Sequence, residues 1–95
     1  MFDYLDLDRV FHALADPTRR ALIAELTRGV RSASELAAPH DLTLQAVLRH
    51  LGVLAEALLV HSWKDGRTRY YRLAPHHLEA AGRWLADERE RWENQ

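Results

Sequence analysis

A glutamine and an arginine four residues apart, Gln45 and Arg49, stand on the polar side of the run Thr43-Leu-Gln-Ala-Val-Leu-Arg-His-Leu-Gly-Val-Leu54. If that run is helical, the i, i+4 spacing puts both side chains on one face. Both residue types can make paired hydrogen bonds to a base edge, arginine to guanine and glutamine to adenine. Each such pair is worth about 1–3 kcal/mol of discrimination. Further along, Lys64, Arg67, Arg69 and Arg72 gather around Asp65-Gly66, four cations against one carboxylate and a set suited to backbone phosphate. The chemistry these residues offer is recognition of duplex nucleic acid. The bland alternatives are a solvated hairpin whose cations blunt its edges, and an exposed helix surface with no partner.

Other chemistries find less support. No cysteine is present, so disulfides and thiolate metal sites are excluded, and the composition fits a cytoplasmic protein. His76 or His77 with Glu79 is too sparse for a preorganised metal site. His12 with Asp8 or Asp16 has helical spacing but no further ligand. No metal and no cofactor is expected. There is no Gly-rich phosphate loop and no Gly-x-Ser-x-Gly elbow. The acidic residues Asp3, Asp6 and Asp8, and Asp87 to Glu93 interleaved with Arg89 and Arg91, read as solvated helix faces, so no enzyme is expected. The formal net charge of −1 announces no nucleic-acid partner, and any such role rests on local charge placement. No apolar run reaches membrane-spanning length and no signal segment opens the sequence. The 95 residues are expected to form one domain, with oligomerisation as an added source of stability.

The elements that would hold these residues can be read in order. Leu7, Val10, Phe11 and Leu14 form the stripe of a first helix within residues 1–15, and Asp16-Pro17 restarts the chain as N-cap and N1. A second helix turns Leu22 and Leu26 inward and stops near Gly29, a residue suited to the left-handed position past a helix end. Ser32 and Glu35 make a capping box for a short third helix, which Pro39 ends. Thr43 caps the fourth, whose stripe Val47, Leu51, Leu54 and Leu58 must face a core. Two strand patterns, Leu59 to Lys64 and Arg67 to Leu73, flank Asp65-Gly66, a strong hairpin signal. Pro75 opens a last helix with Leu78, Ala81, Leu85 and Trp92 on one face and Trp84 beside it. The fold expected is mainly α with a β-hairpin wing, in the order α-α-α-α-β-β-α. Residues 32–57 would be the helix-turn-helix and 59–73 the wing.

The stretch Phe11-His-Ala-Leu-Ala-Asp-Pro-Thr-Arg-Arg20 resembles the opening signature of the ArsR (arsenic-repressor-like) family of bacterial winged-helix repressors. Glu35 to Ala38, Ala46-Val47, His50-Leu51, Val53-Leu54, Leu59-Val60, Asp65-Gly66-Arg67 and Tyr71-Arg-Leu73 continue the resemblance. It implies a homodimer built on the first and last helices (1–15 and 75–95), with Leu7, Phe11, Leu78, Leu85 and Trp92 in the seam. It also implies a repressor that places paired recognition helices on a palindromic operator. Thr43, Gln45, Arg49, Lys64, Arg67 and Arg69 would then contact double-stranded DNA. The family's metal-site motifs are missing. Where such proteins usually carry a small polar residue, a basic residue and glycine, this chain has Leu48, Gly52 and Leu58; Ala55 and Trp63 also replace polar positions. If a left-handed conformation is kept at Leu58 it costs about 1–2 kcal/mol; otherwise the helix runs on a turn and re-aims the next strand. Gly52 is easier to explain if another backbone approaches there. An alternative follows, in which Leu44, Leu48, Gly52, Ala55 and Leu58 form an apolar interface for a protein partner or for higher-order self-assembly, in a diverged or an engineered member.

Overall fold

A computed structural model describes residues 4–95. Asp3, counted above in the acidic cluster, lies outside the described residues. The order is α1 (Tyr4–Leu14), α2 (Pro17–Leu26), β1 (Arg31–Ser32), α3 (Ala33–Ala37), a 3-10 turn (Ala38–His40), α4 (Leu44–Glu56), β2 (Val60–Asp65), β3 (Thr68–Leu73) and α5 (Pro75–Glu93). The strands form one antiparallel sheet in the order β1-β3-β2.

Local chemistry starts α2, α3 and α4 where the residues place them. The Asp16 carboxylate accepts from the amides of Thr18 (2.8 Å) and Arg19 (3.2 Å), and Pro17 occupies N1. Ser32 and Glu35 form a reciprocal capping box: the Ser32 amide donates to Glu35 Oε1 (2.9 Å) and the Glu35 amide to Ser32 Oγ (3.2 Å). Thr43 Oγ1 accepts from the Ala46 amide at 3.1 Å. The joint between α1 and α2 is closed by two arginines. Arg19 donates to the carbonyls of Ala13 (2.6 Å) and His12 (3.1 Å), and Arg20 to that of Leu14 (2.8 Å). They bond carbonyls in the last turn of α1, where that of His12 also accepts from the Ala15 amide at 3.2 Å.

α4 is the spine of the core. Val47, Leu51 and Leu54 are fully buried, packed with Val10, Leu22, Leu36 and Leu59. Leu58 does not continue that seam. It is 49 % exposed and has φ 59°. The helix has ended, and the Leu58 amide donates to the Ala55 carbonyl (3.0 Å) while the Leu59 amide donates to that of Leu54 (3.0 Å). That pair of bonds is a Schellman closure, with buried Leu54 and Leu59 as its apolar clasp. A left-handed residue is needed here, and leucine supplies it. Ala55 is also corrected: it is half-buried against the core rather than part of an outer patch. At Gly52 nothing in the subunit lies within 4 Å of where a Cβ would stand, so no backbone of this chain explains that glycine.

The remaining differences lie at edges and ends. β1 is an unforeseen strand, two residues long, pairing Arg31 with Tyr71 and Ser32 with Tyr70. α2 ends at Leu26 with Thr27 as C-cap, so Gly29 (φ 129°) lies beyond the left-handed cap position expected for it. Asp65 pairs with Thr68, which makes the hairpin loop Gly66-Arg67 rather than Asp65-Gly66. Gly66 has φ 64° and Arg67 has negative φ, the pattern of a II′ turn with glycine first. Leu7 is buried in the subunit's own core, so it is no seam residue. Phe11 and Leu78 are half-buried against the same core, and the Phe11 ring meets Trp84 edge-on at 5.9 Å. Beyond Trp84, α5 leaves the body of the subunit, with Leu85 at 52 % and Trp92 at 67 % exposure.

Candidate nucleic-acid interface

α3, the 3-10 turn and α4 form a helix-turn-helix, and β2 and β3 stand beside it as a wing. Because Val47, Leu51 and Leu54 are held in the core, α4 presents Leu44, Gln45, Leu48, Arg49 and Gly52 outward, all exposed. Gln45 and Arg49 therefore lie one turn apart on open helix surface, as their spacing predicts. Thr43, committed through Oγ1 to the cap, keeps its hydroxyl proton for an outside acceptor.

The wing register decides where its cations go. Lys64 lies directly opposite Arg69, and Trp63 opposite Tyr70, with those two rings stacked at 6.0 Å. Residues paired across an antiparallel ladder share a face, so Lys64 and Arg69 are on one side and the aromatic pair on the other. Like charges set opposite each other destabilise a hairpin unless an anion lies between them. Arg69 also donates to Ser62 Oγ at 3.0 Å. The one-residue displacement of the loop puts Arg67 at the tip instead of opposite Lys64. Among the described residues no ion pair involves Arg49, Lys64, Arg67, Arg69 or Arg72. By contrast, Arg89 and Arg91 on α5 are paired with Glu93 and Glu88.

Helix and wing are joined by a cleft of about 190 Å3, lined by Ser34, Leu44, Leu48, Arg67, Thr68 and Arg69 among others. A larger cleft, about 380 Å3, lies away from it between the end of α2 and α3. Glu25, Arg28, Arg31 and Glu35 line that one with charges of both signs. His76 and His77 meet edge-on at 5.4 Å near the start of α5, with His77 Nε2 3.9 Å from Asp6. Among the described residues no three histidines, cysteines or carboxylates come together as metal ligands. Among the described residues no helix is long and apolar enough to cross a membrane.

Beneath the interface, Arg19 Nη1 lies 3.2 Å from His50 Nδ1, tying α2 to the inner side of α4. Sequence reasoning named Arg19, Arg20 and His50 only as parts of a motif. Their role in locking α1, α2 and α4 together depends on tertiary approach and has no local signal. Burial pushes the Asp16 carboxyl upward. The amides of Arg19 and Thr18, with the charges of His50 and Arg19, outweigh that and hold it below its ordinary value of 3.8. Burial raises the Tyr71 hydroxyl at the base of the wing.

The architecture is that of winged helix-turn-helix proteins. A family model described as a helix-turn-helix domain matches residues 14–62. The HTH-type transcriptional regulator Rv2034 of Mycobacterium tuberculosis is 41 % identical over 80 residues, covering 84 % of this chain and 75 % of that protein. The transcriptional repressor SdpR of Bacillus subtilis is 28 % identical, covering 83 % and 88 %. A crystal structure of an ArsR family transcriptional regulator superposes with a TM-score of 0.91 at 38 % identity, over 100 % of this chain and 99 % of that one. The solution structure of a homodimeric winged helix-turn-helix DNA-binding domain from Mycobacterium bovis gives a TM-score of 0.72 at 29 % identity, covering 88 % and 81 %. The chain belongs to the ArsR family of winged helix-turn-helix transcriptional regulators. These relatives are regulators rather than enzymes, and they favour a DNA-binding regulator over the protein-interface alternative.

Proposed function

We propose that the chain acts as a homodimeric repressor that occupies a palindromic duplex operator in the bacterial cytoplasm. The observation that carries this reading is a cluster of unpaired cations on the helix and wing. In a chain of net charge −1, Arg49, Lys64, Arg67 and Arg69 sit on α4 and the wing that flanks it without a carboxylate partner among the described residues. Gln45 and Arg49 read base edges in the major groove, while Thr43, Lys64, Arg67 and Arg69 hold phosphate. Phosphate between Lys64 and Arg69 would relieve their mutual repulsion across the ladder.

Dimerisation supplies the second half of the site. The stripe Leu78, Ala81, Leu85, Trp92 begins against α1 and then runs off the subunit, exposing Leu85 and Trp92. A second copy joined along α1 and α5 would cover Leu85, Trp92 and the open sides of Phe11 and Leu78. The two α4 helices would then reach successive major grooves about 34 Å apart.

Fluorescence anisotropy with a labelled random-sequence duplex tests the reading. Binding should weaken steeply as salt rises, and Arg67→Ala should lower the slope of log affinity against log salt by about 1. Absence of binding even in low salt would overturn it.

A further inference from the structure

We infer that Leu44 and Leu48 determine operator specificity by packing on thymine 5-methyl groups in the major groove, an inference that rests on the duplex-binding reading above. Both leucines are held on the open side of α4 by the burial of Val47 and Leu51, at 45 % and 38 % exposure. They are one turn apart and form the apolar floor of the cleft whose other wall carries Ser34, Arg67 and Arg69. Gln45 and Arg49 immediately follow them on the helix, so apolar and hydrogen-bonding side chains alternate along one exposed surface.

The surroundings decide what can cover this floor. A protein partner with a matching apolar surface would have to bury Arg49, Arg67 and Arg69, none of which has an ion-pair partner among the described residues. Duplex DNA supplies both complements at once, phosphate for the cations and an aliphatic group for the leucines. The major groove presents one such group, the thymine C5 methyl. Gly52, a turn beyond Leu48, has open space where a Cβ would stand, so no side chain there holds α4 away from the groove floor. Leucines four residues apart are separated by about 6 Å along the helix axis, which matches thymines one to two base steps apart.

The experiment uses the full chain and a randomised duplex library. After selection, each thymine of the enriched half-site is replaced singly by deoxyuridine, which deletes the methyl and leaves every hydrogen-bonding group. At one or two positions the replacement should weaken wild-type binding about fourfold, the worth of one buried methyl. Leu48→Ala or Leu44→Ala should be indifferent to the replacement at its own position while keeping the wild-type salt slope. Leu48→Met, which preserves an apolar contact, should retain the penalty. Uniform tolerance of deoxyuridine, equal penalties in wild type and alanine variants, or binding of random duplex with no sequence enriched would each overturn the inference and leave duplex binding standing. No binding to any duplex in low salt would remove both.

Discussion

Leu58 shows how one residue can carry a cost that its surroundings require. Its φ of 59° is fixed by the two hydrogen bonds that close α4 and by the burial of Leu54 and Leu59 on either side. A leucine in that region costs about 1–2 kcal/mol relative to a residue without a Cβ, and its half-exposed side chain recovers little by packing. Leu58→Gly should therefore stabilise the protein by about 1 kcal/mol and raise the thermal midpoint by several degrees; an unchanged or lower midpoint would show that the side chain makes up the loss elsewhere. The same residue marks a limit of periodicity. The seam Val47, Leu51, Leu54 was legible, but extending it to Leu58 assumed a helix that had already stopped. Arg19 and Arg20 mark another limit. Their carbonyl partners lie six or seven positions back, across a joint whose geometry only the packed helices define.

At the scale of elements, the starts of α2, α3 and α4 were the most legible features, because a cap depends on a side chain and amides within three residues of it. The capping box of α3 leads to a prediction about acid. The Ser32 amide, with its hydroxyl, holds the Glu35 carboxyl below its ordinary value of 4.5. A carboxyl lowered in the folded state adds stability above its unfolded pKa, and that contribution disappears as pH falls through the folded value. Glu35→Gln keeps an oxygen acceptor but cannot titrate there. Thermal melts from neutral pH to below about pH 4 should show the variant losing less stability than wild type; parallel losses would remove Glu35 from the acid response. β1 escaped notice because two residues display no alternation, and Ser32 already had a use as a cap. The wing was legible as a hairpin but off by one residue in its loop. Asp-Gly suits a I′ turn, whereas the pairing of Asp65 with Thr68 selects a II′ turn led by Gly66. That displacement matters to the interface, since it sets Arg67 at the tip and Arg69 across from Lys64.

At the scale of the whole molecule, the described chain is elongated, 53 × 28 × 22 Å, with the cations of α4 and the wing on different elements from the exposed Leu85 and Trp92. The alternation of apolar residues in α1 and α5 showed which side of each helix is greasy. It could not show which of those residues the subunit uses for itself. Leu7 is consumed by its own core, while Leu85 and Trp92 are left over. Trp92→Glu, placed where nothing in the subunit touches it closely enough to bury it, should leave the fold intact and halve the mass seen by sedimentation or light scattering. A wild-type protein that already sediments as a single copy, or a variant that stays at twice the mass, would defeat the proposed seam.

The overhang of α5 also bears on how such a regulator responds to its own abundance. In the proposed dimer each copy leaves Leu85 and Trp92 uncovered until another arrives, so pairing and folding would be linked by mass action, and dilution alone should lower the melting point. Below the concentration at which copies of the proposed dimer pair, its DNA-competent form would grow with the square of the amount synthesised. A modest change in expression would then be felt at the promoter as a steep one.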